Sequence, residues 1–350
     1  MKNKYRIGLI TFFVTMSLCV IFLNIFSSAS YKNYNFKRLY SSAYPLVLQS
    51  INGKMNENEY VMSVDSDSLI VERDIKNIDK NIDKYIFYIN DFEFKEIKTM
   101  SVILPIDAKI LNFNTKNIYF TNHLKTYFYN LKSEGNFKPI LNGIKLKTIK
   151  KIPNSTNKFL CLAEVQSRNS FKTGFYIVDF DSGTVALSKN IDTNTTTTFS
   201  QNSLKYSGMF VYNFEQNKII YCCNKFSKIF FFDKEGLFIK DFQTADNTPL
   251  PGILTNSQGL SFYERGKTSY CNMAVIMKNN RVFVFSNATD NRFRLFLDEY
   301  SFSAGNYLRS FKLNYNNQNA GNIRKVFIGK NKIILGFEFN YASFIFSRYI

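Results

Sequence analysis

The 350-residue chain contains no tryptophan, a single histidine, five cysteines and six prolines. So little imidazole removes most zinc chemistry, serine or cysteine triads, and haem or copper sites built on several histidines. His123 itself sits in TNHLKTYF, with no nucleophile or orienting carboxylate in a motif beside it. It reads as a solvent-facing loop residue rather than a general base. No CxxC pair is present, which argues against a dithiol redox role. Basic residues never gather into a block of five or six, the concentration that nucleic-acid binders usually show. Apolar stripes at helical spacing are also scarce; the best helical candidate is the charged stretch Val71 to Lys84, VERDIKNIDKNIDK.

What the sequence does hold is charge and aromatic mass. Lys and Arg number 45 against 27 Asp and Glu, for a net charge of +18, and there are 37 Phe and 22 Tyr. At 45% hydrophobic residues the chain can bury a substantial core. The positive surplus is spread along the sequence, its densest patches being Lys145, Lys147, Lys150 and Lys151, and Lys32, Lys37 and Arg38. This distribution predicts a diffuse solvated surface and no nucleic-acid partner.

Lys2, Lys4 and Arg6 precede an uncharged run, residues 7–26, IGLITFFVTMSLCVIFLNIF. Its length matches the roughly 20 residues that cross a bilayer and exceeds a usual signal-peptide core. Ser27-Ser28-Ala29-Ser30 follows, so residues 1–30 read as an uncleaved signal anchor or a cleaved signal peptide. Either places residues 31–350 outside the cytoplasm, in a cell envelope.

Beyond residue 40 one unit recurs: a polar turn often holding Asn, an apolar strand, a short gap, an aromatic strand, and an acidic or Gly turn. Copies start near residues 58, 117, 157, 217, 280 and 331. Spacings of that order suit propeller blades, which take about 40–50 residues and lengthen through loop insertions. The last copy lacks its outer strand, while Phe36 to Tyr40 or Leu46 to Gln49 supplies an unassigned strand before the first. An N-terminal strand completing the last blade would close the ring and remove two exposed edges. The hairpins IFFFDKEGLFIKDF (Ile229 to Phe242) and FYIVDFDSGTV (Phe175 to Val185) resemble those of six-bladed β-propellers of the NHL and TolB-like kind. That resemblance is architectural and implies an all-β fold of six four-stranded blades behind an N-terminal hydrophobic helix. Many such propellers are exported bacterial proteins. A β-sandwich with a second β domain is the competing architecture.

Asp65-Ser66-Asp67-Ser68 and Asp179-Phe180-Asp181-Ser182-Gly183 superficially resemble calcium loops, but neither continues with the spaced oxygen ligands and closing Glu of an EF-hand. Hairpin turns explain them better. Of the cysteines outside residues 7–26, Cys222 and Cys223 point to opposite faces of a strand. Small core hydrophobes are one reading of them, and a Cys223–Cys271 disulfide is the other. The long segment 243–274 holds Tyr263, Arg265 and Tyr270, and Tyr206 precedes another strand. These four are the candidate ligand-binding residues, since polar loops with isolated aromatics on a rigid scaffold are where binding concentrates. The expectation is a monomeric, non-enzymatic binding or scaffolding module for a protein, peptide or glycan, without cofactor or metal. The alternative is a calcium-dependent lactonase- or esterase-like propeller, for which Glu164 is the inner-strand acid to watch.

Overall fold

A computed structural model describes residues 15–17, 36–43, 45–52, 59–65, 68–79, 82–105, 108–113, 117–122, 125–130, 138–141, 143–167, 170–192, 199–265, 268–287, 295–313, 323–330, 332–337 and 341–346. The strands form consecutive antiparallel meanders. Sheet I joins β3 (Glu59–Asp65), β4 (Ser68–Asp79), β5 (Ile82–Asn90) and β6 (Glu96–Pro105). Sheet II joins β7 (Lys109–Phe113), β8 (Asn117–Asn122), β9 (Lys125–Asn130) and β10 (Lys138–Leu141). Sheet III joins β11 (Ile144–Lys151), β12 (Lys158–Ser167), β13 (Ser170–Asp179) and β14 (Thr184–Asp192). Sheet IV joins β15 (Gly208–Asn213), β16 (Lys218–Cys223), β17 (Lys228–Phe232) and β18 (Phe238–Gln243).

Sheet V contains β21 (Asn272–Lys278), β22 (Arg281–Asn287), β23 (Leu295–Ser301) and β24 (Tyr307–Lys312), with β1 (Tyr40–Ser41) added parallel to β24. Sheet VI contains β25 (Ile323–Ile328), β26 (Ile333–Phe337) and β27 (Tyr341–Phe346), completed by β2 (Leu46–Asn52) from the N-terminal side. A two-stranded hairpin, β19 (Ile253–Thr255) and β20 (Ser261–Tyr263), lies between sheets IV and V in sequence.

The result is a ring of sheets, a β-propeller. Five of its sheets have the regular four strands where six were expected, and sheet V departs from the pattern because Tyr40–Ser41 pairs with it. First strands of successive sheets meet around the ring interior: β7 with β11, β11 with β15, β15 with β21, β21 with β25, and β25 with β3. Apolar clusters fill the gaps between faces. Phe87 and Leu104 of sheet I meet Phe120 of sheet II, and Tyr119 of sheet II meets Phe159 and Phe180 of sheet III. Phe175 of sheet III packs on Tyr221 and Phe232 of sheet IV, and Phe231 of sheet IV lies against Tyr300 of sheet V. Phe283 of sheet V packs on Leu335 of sheet VI, and Ile334 of sheet VI on Phe92 of sheet I. The cycle of contacts therefore returns to its start, with Leu46–Asn52 as the outer strand expected at the last sheet.

The repeat starts near 117, 157, 217, 280 and 331 lie one strand into their sheets, while the start near 58 meets the first strand β3. Starts at Asn117, Asn217 and Asn280 fall at β8, β16 and the turn before β22, which are second strands. Second strands are covered on both faces and become continuously apolar; β16 is buried from Ile219 to Cys223. First strands face the ring interior and keep charge, as in IKLKTIKK of β11, so hydrophobicity alone overlooks them. The helical candidate Val71 to Lys84 is instead the β4–β5 hairpin, with Asp79 opposite Ile82. The polar loop around Thr195 to Thr198 runs into a short helix, Phe199–Lys205.

The turns are built by side chains. Asp91, Asp233 and Asn256 each accept the backbone N–H groups of residues two and four ahead on Oδ1. The residue three ahead takes a left-handed conformation, and this is Gly236 (φ 86°) and Gly259 (φ 78°) but also Phe94 (φ 66°). Asp179 closes its turn similarly, accepting from Asp181 N–H at 3.0 Å. Its carboxyl is held below the usual range mainly by that backbone donor.

The N-terminal segment is riveted by a buried ion pair. Arg38 donates through Nε and Nη2 to the two carboxylate oxygens of Asp298 at 3.0 and 3.1 Å, with side chains only 8% and 1% exposed. The guanidinium also lies 4.7 Å from the Phe296 ring centroid. Of the segment 7–26, residues 15–17 are described, as a helical turn; the rest lies outside the described residues. Among the described residues no helix is long and apolar enough to cross a membrane. His123 also lies outside them.

Candidate functional site

In an antiparallel meander the start of the first strand, the turn between strands two and three, and the connection to the next sheet share one face of the ring. On this face lie the helix Phe199–Lys205, the β19–β20 hairpin and the turn from Asn224 to Ser227. Helix and hairpin pack on each other. The Tyr263 hydroxyl donates to the Leu204 carbonyl at 3.0 Å, and Gln201 Nε2 donates to Thr255 Oγ1 at 2.9 Å.

Three sequence-distant segments converge here. Lys225 places its ammonium 3.3 Å from the Tyr263 ring centroid and 4.4 Å from that of Tyr270. Burial lowers the Lys225 pKa and raises that of the Tyr263 phenol. Tyr270 is 57% exposed, and Arg265 is exposed beside it in the chain. Tyr206 belongs to the floor: it is buried, donates to the Ile191 carbonyl at 3.3 Å, and its own carbonyl accepts the Tyr221 hydroxyl at 2.6 Å. The sequence therefore named two rings of the group, Tyr263 and Tyr270, but missed Lys225. A lysine in the turn NKFSK carries no signal until the fold brings Tyr263 and Tyr270 over it.

The same insertion exposes apolar side chains. Leu254 and Phe262 are directly opposite on β19 and β20 and are 46% and 48% exposed, with Leu260 and Leu250 also outward. Cross-strand partners share a face, so Leu254 and Phe262 form one outward apolar surface on the hairpin face opposite to Tyr263.

Behind the loops a buried acid is satisfied internally, whereas the Asn224 and Asn272 side-chain oxygens are buried without a hydrogen-bond partner. Buried Asp246 accepts from Ser227 Oγ and Thr244 Oγ1 at 2.6 Å and from Thr248 Oγ1 at 2.9 Å. Cys161, Cys222, Cys223 and Cys271 are free, buried thiols, so the Cys223–Cys271 bridge expected from sequence is not made in this structure. Cys222 packs toward sheet V and Cys223 toward sheet III, as strand alternation requires. The Cys271 thiol donates to the Asn224 carbonyl at 3.4 Å, and burial pushes each thiol up, favouring the neutral form.

Glu164 is 2% exposed on β12 and stands opposite Lys145 of β11. Burial raises its pKa and Lys145 opposes that shift. Among the described residues no group of three or more His, Cys, Asp and Glu is arranged to hold a metal ion.

No family model matches the chain, and no curated protein sequence is similar to it. Among solved structures, Kluyveromyces lactis Hsv2 is similar over 83% of this chain and 89% of its own, at 12% identity and TM-score 0.38. A neuraminidase-like protein of A/little yellow-shouldered bat is similar over 87% of this chain and 98% of its own, at 12% identity and TM-score 0.48. The calcium-binding protein regucalcin of Agrobacterium tumefaciens covers 85% and 95%, at 8% identity and TM-score 0.40. Likenesses this distant carry no argument about activity; the fold rests on this chain's own strand order.

Proposed function

We propose that the chain is a six-bladed propeller, held in a bacterial cell envelope by residues 7–26, whose loop face binds a protein, peptide or glycan without transforming it. The blade count treats sheet V as a blade with one added strand. It is supported by the apolar cluster shared by every neighbouring pair of sheets and by the pairing of β2 with β27. The envelope location rests on the uncharged run of residues 7–26 behind three basic residues.

The observation that carries binding is the group of Lys225, Tyr263 and Tyr270, with Leu254, Leu260 and Phe262 exposed on the same insertion. An exposed ring with a cation against it, and apolar side chains outward on the same insertion, offer stacking, hydrogen bonding and desolvation. The calcium-hydrolase reading has less support, because Glu164 is opposite a lysine rather than a second carboxylate. The test is to probe the immobilised full chain with arrays of oligosaccharides and of unmodified peptides. A ligand should appear whose affinity falls by about tenfold in Tyr270→Ala and in Leu254→Glu/Phe262→Glu, with unchanged circular dichroism. Ligands that ignore both variants, or turnover of a bound ester or lactone, would remove the reading.

A further inference from the structure

The ring interior carries a second feature. The first strands hold one basic residue in β7, four in β11, one in β21 and two in β25, against Glu59 and Asp65 in β3. Two of these cations stand on neighbouring strands. Lys109 opens β7, and Lys147 is the residue inserted by the bulge between Leu146 and Thr148 of β11. Strands β7 and β11 pack against each other, which brings the two lysines together at the junction of sheets II and III. Two like charges so placed repel, and no ion pair with a carboxylate relieves either one among the described residues. The nearest acid in register, Glu164, stands opposite Lys145.

Burial, then the neighbouring Lys109 ammonium, lowers the Lys147 pKa to about 8. Lys109 is more exposed, so its own lowered pKa weighs less. A third group points the same way. Lys109 pairs with Thr121 and Thr121 with Thr126 across sheet II. Directly opposite residues share a face, and Tyr119, on the same face of β8, packs on sheet III. Thr126 is fully buried, and its hydroxyl oxygen has no hydrogen-bond partner. Strand β9, which carries Thr126, abuts β11 as β7 does.

We infer that the junction of sheets II and III is an oxyanion site, where Lys109 and Lys147 bind a phosphate, sulfate or carboxylate group and the Thr126 hydroxyl donates to it. An anion there converts repulsion into two charge-assisted hydrogen bonds and gives a buried hydroxyl its partner. The anion comes either as a free ion or as the acidic group of a larger ligand entering the ring. This site shares no residue with the Lys225 group.

The test is calorimetric titration of the full chain with sodium phosphate, sulfate and acetate at constant ionic strength, and with a sugar phosphate and a sugar sulfate. At least one anion should saturate a single site, weaken by about tenfold or more in Lys109→Met and Lys147→Met, and recover in Lys147→Arg. Thr126→Val should weaken it several-fold, and Tyr270→Ala should leave it unchanged, so this site can survive failure of the loop-face reading. Tighter binding of a sugar ester than of its inorganic anion would identify a larger ligand, and equal binding a free ion. Absence of saturable binding by every probe, or equal affinity in Lys147→Met, would overturn the proposal.

Discussion

The junction of sheets IV and V and that of sheets II and III treat charged side chains in opposite ways. At the first, Asp246 is enclosed by the Ser227, Thr244 and Thr248 hydroxyls, and Asp298 nearby receives a two-pronged bond from Arg38. At the second, Lys109 and Lys147 stand on the adjoining strands β7 and β11 without a carboxylate partner among the described residues, and the Thr126 hydroxyl oxygen is buried without a partner. Both are enclosed by the same ring and built from the same kind of sheet. A buried charge with its full complement of partners is structural; a half-buried pair of like charges without a counterion invites a ligand. That contrast separates scaffold from candidate site without any catalytic motif.

The strongest way to break the comparison is at the ion pair. Arg38→Ala should lower stability by about 3–5 kcal/mol, because Asp298 would be left buried without its cation. Urea unfolding checks this, and a change under 1 kcal/mol would mean the N-terminal segment is not fixed to sheet V. Asp246→Ala should cost about 2 kcal/mol by orphaning three hydroxyls, with Asp246→Asn milder because an acceptor remains. Gly236→Ala should cost about 1 kcal/mol, since φ is left-handed and a Cβ would meet Ile152 and Ile177 at 3.2 Å.

Lys147→Met should behave in the opposite sense. The folded protein holds this lysine at about 8, below the roughly 10.5 of an unfolded lysine. Between those values the unfolded chain binds the extra proton, so the lysine's unfavourable contribution is full below pH 8 and fades as pH rises toward 10.5. Lys147→Met should therefore leave stability at pH 7 unchanged or raised, by no more than about 1 kcal/mol for a partly solvated group. Thermal melts from pH 7 to 10.5 check the sign, since the difference between variant and parent should shrink with pH.

The all-β fold and its repeated hairpins were legible because second and third strands, such as KIIYCC and KIFFF, are buried on both faces and stand out as apolar runs. Strand β11 was not, because ring-interior lysines interrupt its apolar alternation; the sequence showed Lys145 to Lys151 only as a charge patch. Closure by Leu46–Asn52 was legible as a surplus strand, whereas the pairing of Tyr40–Ser41 with sheet V was not, since two residues carry no pattern. Tyr263 and Tyr270 were recognisable as aromatics in a long polar insertion. Lys225 and the Lys109–Lys147 pair were invisible, because each depends on residues some forty positions apart meeting in space.

The pKa of Lys147 in the full chain, followed by carbon-13 resonance of its side chain with and without phosphate, tests the central contrast most directly. A value near 8 without phosphate, rising by at least about one unit when the anion binds, is the expected result. A value near 10.5 in both conditions would contradict it, showing that the lysine pair is solvated and uncoupled rather than a vacant half of an ion pair.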